Sequence, residues 1–129
     1  MLQHIAGTFR WGLLPFVMSL LLTLVIEVPI VVIAGKGSKD AWATGVLVNM
    51  LTNPVAVLAV IVLAPFLWPG PASLVLVLAV EVAVVLAEWQ VFRWALGWST
   101  RKAFVVSLIA NATSFCLGLL FSGGLWFLG

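Results

Sequence analysis

Residues 74–97 read LVLVLAVEVAVVLAEWQVFRWALG. As a helix this stretch is long enough to cross a hydrocarbon core of about 30 Å. It also carries two acids, Glu81 and Glu88, inside the apolar run. Three more stretches of the same character lie at residues 12–34, 42–68 and 103–128. The breaks between them are short and rich in turn formers: Gly35 to Asp40, Pro69 to Ser73, and Trp98 to Lys102. The expected fold class is therefore all-α. The chain reads as a polytopic integral membrane protein with four transmembrane helices in one domain, residues 1–129.

Composition points the same way. The chain is 64% hydrophobic and 8% charged, with mean hydropathy +1.29. A soluble domain carries about 45–50% apolar and about 25% charged residues. The net charge of +2 reflects loop lysines and arginines, and nucleic acid is not an expected partner. Cys116 is the only cysteine and cannot form an internal disulfide. With His4 the only histidine, a histidine-based zinc site is not expected. Val32-Ile33-Ala34 resembles a signal-peptide cleavage site, but the apolar run before it is too long and contains Glu27 and Pro29.

Orientation follows the basic residues. Lys36, Lys39, Arg93, Arg101 and Lys102 gather at one end of the helices, and Arg10 stands alone at the other. Loops 35–41 and 98–102 are expected in the cytoplasm of a bacterial inner membrane, with both termini outside. Trp11, Trp68 and Trp126 fall at the outer boundary; Trp42, Trp94 and Trp98 fall at the inner one. Trp89 sits deeper and is expected to pack.

The two halves resemble each other. The first hairpin contains Gly35, Ser38-Lys39, Ala41-Trp42 and Asn49-Met50-Leu51-Thr52. The second contains Gly97, Thr100-Arg101, Ala103-Phe104 and Asn111-Ala112-Thr113-Ser114. Glu27 matches Glu88 after a one-residue shift. A parallel internal repeat of two hairpins is expected, its copies related by an axis along the membrane normal.

Acids and amides fall at one depth. At about 1.5 Å rise per residue, Glu27 lies roughly 6 Å to the cytoplasmic side of the midplane, and Glu88 and Asn111 about 5 Å. Asn53 is expected near the midplane and Asn49 one turn deeper, while Glu81 falls in the outer half. Asn49 and Asn53 share a face, as do Ser107, Asn111 and Ser114, and Glu81 stands above Glu88. Lipid cannot satisfy such stripes, so they should turn inward. Pro29 and Pro54 free the carbonyls of Val25 and Met50, which extend the oxygen set.

Each of these residues has a packing role to set beside a functional one. Serines in apolar helices commonly bond their own backbone, which is the expectation for Ser107 and Ser114. Asn49, Asn53 and Asn111 serve equally as interhelical glue, at about 0.6–2 kcal/mol per contact. The glutamates are harder to place structurally, because an acid at mid-helix costs about 2.5–3.5 kcal/mol. A neutral carboxyl acting as a hydrogen-bond donor is the packing alternative. Arg93 is expected to extend to the interface instead of pairing with Glu88.

Carboxylate, amide, hydroxyl and carbonyl oxygens suit protons or hard cations. The leading expectation is a small transporter or channel-like subunit that binds a proton or hard cation. Its ligand set would be Glu27, Glu88, Asn49, Asn53, Asn111, Glu81, Ser107 and Ser114. No cofactor is identified beyond a bound cation of unknown identity, and no metal ligands or catalytic residues are assigned. Four helices enclose little space, so a homodimer or a second membrane subunit is expected. The alternative is a structural or accessory subunit of a larger membrane complex. There, small residues such as Ala110, Ser114 and Gly118 would allow close helix approach. An enzyme fits less well: no nucleophile–base pair, HExxH, phosphate loop or Cys-x-x-Cys occurs.

Ile26-Glu27-Val28-Pro29, the Thr52-Asn53-Pro54 tripeptide, the Glu81 and Glu88 pair with six residues between, and the stretch from Ser107 to Gly118 resemble a family of small uncharacterised bacterial four-helix membrane proteins. The similarity runs from about Leu20 to Leu120. It implies a four-span fold and brings no established activity.

Overall fold

The computed structural model describes the backbone of residues 2–67 and 71–128, and the side chains of residues 17, 18, 20–63, 66, 75–118 and 120. Among these residues there are four helices: α1 (Leu2–Ala34), α2 (Lys39–Leu67), α3 (Pro71–Leu96) and α4 (Thr100–Leu128). Each packs on its neighbours in the chain, and α4 closes the ring against α1. The short connections make adjacent helices antiparallel.

Capping chemistry, not hydropathy, sets the helix ends. At the end of α1 the Gly37 N–H bonds to the Val32 carbonyl at 2.8 Å and the Lys36 N–H to the Ile33 carbonyl at 3.1 Å. That pair forms a Schellman motif, with Lys36 in the left-handed region at φ 56°. Ser38 then caps α2 by accepting from the Ala41 N–H at 3.1 Å, and Ser99 caps α4 by accepting from the Lys102 N–H at 3.2 Å. As a result α2 and α4 each begin three residues before the expected residues 42 and 103. Pro71 sits at the first position of α3, where its missing N–H has no cost, and the helix again starts before the expected residue 74. α1 starts at Leu2, ten residues ahead of the expected 12, because no proline or turn interrupts residues 2–11. The expected boundary tryptophans Trp11, Trp68 and Trp126, together with Arg10, lie outside the described side chains.

The core sits at the end closed by the two basic turns. Val31, Ala41, Val48, Phe92 and Ala103 form it, with Trp89, Val91, Leu96, Trp98 and Val106 packed around them. Phe92 and Trp98 meet with their rings tilted by 49° and their centroids 5.5 Å apart. Gly35 is needed here, because a Cβ at that position would lie 2.5 Å from the Ala41 Cβ. Trp89 packs as expected: its ring meets Phe104 edge-on at 5.7 Å and its Nε1 donates to the Thr100 carbonyl at 3.0 Å. Arg93 lies over the same ring at 5.7 Å.

The helices are apolar around most of their circumference. Two segments, Lys39–Leu63 and Val75–Leu96, are long and apolar enough to cross a membrane, and Leu20–Ala34 is a shorter apolar segment. Only 11% and 17% of the most apolar parts of the two long segments are buried, so their side chains face outward. Phe66 is 83% exposed and Ile33 77%.

Candidate functional site

Above the core, each helix contributes polar side chains to one buried layer. Glu27, Asn49, Glu88, Ser107 and Asn111 are all buried, the two acids to 1% exposure. The bonds run between helices. Asn111 Nδ2 donates to Glu88 Oε2 at 2.6 Å and Thr52 Oγ1 to Glu88 Oε1 at 3.2 Å. Ser114 Oγ donates to Glu27 Oε1 at 2.5 Å. Ser107 Oγ donates to the Val85 carbonyl of α3 at 2.8 Å. The layer therefore joins α1 to α4, α2 to α3 and α3 to α4.

The expected convergence of Glu27 and Glu88 is present in this geometry. Both acids line the same cavity, together with Asn49. Asn49 and Asn111 each also donate to the carbonyl four residues back, Gly45 at 2.8 Å and Ser107 at 2.9 Å. Among the described residues two acceptors have no partner: Glu27 Oε2 and Asn49 Oδ1 are buried without a hydrogen bond. The hydroxyls of Thr52, Ser107 and Ser114 and both N–H groups of Asn111 are engaged, and Asn49 spends one of its two N–H groups on Gly45, which leaves one N–H for two unmatched acceptors. A buried acceptor left unmatched costs about 1–3 kcal/mol, which a proton or a cationic N–H would recover. The site has an excess of acceptors.

The layer floors a cavity of about 750 Å³ that all four helices line. Glu27, Asn49, Thr52, Glu88, Asn111 and Ser114 form the polar end. Leu22, Val57, Val60, Val77 and Val84 are among the apolar walls. Asn53 lines it one turn above Asn49, and half-buried Glu81 lines it two turns above Glu88. Glu27, Glu81 and Glu88 all line this one cavity.

Several expectations are corrected. Ser107 bonds across to α3 and not to its own backbone, and lies outside the cavity lining. Ser114 bonds chiefly to Glu27, with a longer contact of 3.2 Å to its own helix at the Asn111 carbonyl. The freed Val25 carbonyl is not part of the oxygen set: Pro29 and Val25 are both exposed, so that carbonyl faces away from the layer. Met50 is likewise exposed beside half-buried Pro54. A Cβ at Gly118 would meet none of the described residues within 4 Å, so this position leaves space beside the cavity. Thr52 was absent from the expected ligand set. Its signal was in the sequence: it stands three residues after Asn49, as Ser114 does after Asn111, and both hydroxyls reach a glutamate.

Among the described residues no three His, Cys, Asp or Glu side chains cluster as a metal-binding set. No protein-family model, curated protein or solved structure matches the chain.

Proposed function

We propose that this chain is a four-span membrane transporter subunit that exchanges a cation for a proton at the Glu27–Glu88 layer. The observation that carries the reading is a pair of buried carboxyls at the floor of one cavity, where Glu27 Oε2 and Asn49 Oδ1 are unmatched. Two acids in low dielectric do not both ionise without a counter-cation. Glu88 accepts from Asn111 at one oxygen and meets the Thr52 hydroxyl, shared with the Val48 carbonyl, at the other, so it is the better-supported carboxylate of the two. Glu27 accepts on one, and its second oxygen is the place for a proton or for the cation that displaces it.

The membrane reading rests on the outward apolar faces of all four helices, a surface that in water would drive association. Basic residues at the turns near Gly35 and Gly97 put that end in the cytoplasm of a bacterial inner membrane. The cavity then belongs to the outer half.

A two-hairpin repeat accounts for the pairing of like parts. Asn49 and Asn111 make the same bond four residues back. Thr52 serves the glutamate of the second hairpin, and Ser114 serves that of the first. The capping serines shift the expected alignment by one: Ser38 corresponds in role to Ser99, not Thr100.

The second reading is an accessory subunit whose polar layer only locks helices. It draws on the interhelical direction of the bonds, but leaves the two unmatched acceptors unexplained. The test is proton flux in reconstituted vesicles driven by an outward cation gradient. Wild type should move protons against the cation, and Glu27→Gln and Glu88→Gln should not. Equal flux in all three proteins would overturn the proposal.

A further inference from the structure

The cavity is much larger and more apolar than an inorganic ion needs. A dehydrated hard cation seeks about six or more oxygens around it. Here the unmatched acceptors number two, Glu27 Oε2 and Asn49 Oδ1. Above them stand Leu22, Val57, Val60, Val77 and Val84, around a space of about 750 Å³. That volume lies in the range of sites for drug-sized organic molecules, about 300–1,000 Å³, which join apolar walls to a few placed polar groups.

The two halves of the layer are also unequal. Glu88 is closed by Asn111 and Thr52 from both sides. Glu27 holds only Ser114, and its neighbour Asn49 keeps its oxygen unmatched. Both missing partners are donors, and a protonated amine carries several N–H donors on one charged atom. Glu81 adds a carboxyl about 10 Å further along α3, on the wall of the same cavity.

We propose that the cation is an amphipathic primary or secondary amine. Its apolar body lies along the valine and leucine walls, and its ammonium N–H groups reach Glu27 and Asn49. Rotation of either side chain presents its buried oxygen to the cavity. The amine enters as R–NH3⁺, the proton on Glu27 leaves to bulk water, and the charge of the site is unchanged. This inference rests on the exchange reading above and narrows it to one substrate class.

The experiment uses the full chain in lipid nanodiscs. Calorimetric titration compares 4-phenylbutylammonium, its trimethylammonium analogue, neutral 4-phenylbutanol and sodium ion, with released protons counted in parallel. Discs carrying Glu27→Gln correct for partition into lipid, and Gly118→Leu fills the cavity where the backbone has room for a side chain. The primary ammonium should bind at least tenfold more tightly than the alcohol or the quaternary analogue. It should release protons and lose at least tenfold in affinity in both variants. Equal binding of the alcohol would make the cavity a lipid or apolar pocket and overturn both proposals. Equal binding of the quaternary analogue would overturn the role of the N–H donors. Proton release by sodium with no binding of the amine would overturn this inference and leave the exchange reading standing.

Discussion

Ser114→Ala removes the one hydrogen bond that Glu27 receives among the described residues, 2.5 Å from Oε1. The variant leaves a buried acid with both oxygens unmatched beside the similarly unmatched Asn49 oxygen. With Glu27 protonated, this bond joins neutral groups and is worth about 0.5–1.5 kcal/mol, while the acceptor left unmatched raises the loss to about 1–3 kcal/mol. Interhelical bonds measured inside membranes run lower, averaging about 0.6 and reaching about 1.7 kcal/mol, because the unfolded helices also find partners. The expected loss is therefore about 1–2 kcal/mol. Thr52→Val is the control. Its contact with Glu88 is 3.2 Å, the hydroxyl is shared with the Val48 carbonyl, and Asn111 still holds Glu88 at 2.6 Å. It should cost less than about 0.6 kcal/mol. Replacing both partners as Ser114→Ala with Glu27→Leu removes the buried carboxyl as well as its donor, so the double variant should be more stable than Ser114→Ala alone. Reversible unfolding of the four proteins of this cycle, and of Thr52→Val, in mixed micelles reports these differences through tryptophan fluorescence. A Ser114→Ala cost equal to that of Thr52→Val, with no coupling to Glu27, would refute the claim that this bond holds the acid in place.

Other outcomes follow from the same geometry. Phe92→Ala should cost about 3–5 kcal/mol in the same assay, since Phe92 is fully buried in the core at the closed end. Gly35→Ala should cost about 1–3 kcal/mol by pressing a methyl onto Ala41, while Gly118→Ala, with open space around its Cβ, should be near neutral. The apparent affinity for a cation should fall as pH falls, because protons compete for Glu27. The loss approaches about tenfold per pH unit if one proton is displaced. The other titratable groups facing Glu27 are Glu88 and Glu81 on α3, while α2 and α4 present the neutral side chains of Asn49, Thr52, Asn111 and Ser114. Titration at several pH values checks this slope, and a flat profile would count against proton displacement.

How far the sequence reveals this arrangement depends on what helical spacing can encode. Spacing fixes azimuth within one helix, so the shared faces of Asn49 with Asn53 and of Ser107, Asn111 and Ser114 were legible before any coordinates. That Glu27 and Glu88 come to one level was legible from their similar distance along the helix from the basic turns. Azimuth also argued against Pro29: two residues from Glu27 is about 200° around the helix, so the carbonyl it frees belongs on the far side. Thr52 hid in the same way, because hydroxyls in apolar helices usually bond their own backbone, as this one also does at Val48. The cavity was not legible at all. Spacing says which side chains face inward, but not how far apart four helices stand beyond the plane where they pack. Nor can it say which of two equivalent glutamates is left short of a donor. That asymmetry arises from side-chain geometry, with Asn111 turned to Glu88 and Asn49 to the carbonyl behind it.

The central claim is that Glu27 keeps a proton which an incoming cation displaces. Infrared difference spectroscopy on the full chain in lipid, with and without cation, reads this directly. The account predicts a protonated-carboxyl C=O band that disappears on cation loading and is missing from Glu27→Gln. A band that survives saturation with cation, or one that persists unchanged in Glu27→Gln, would contradict it.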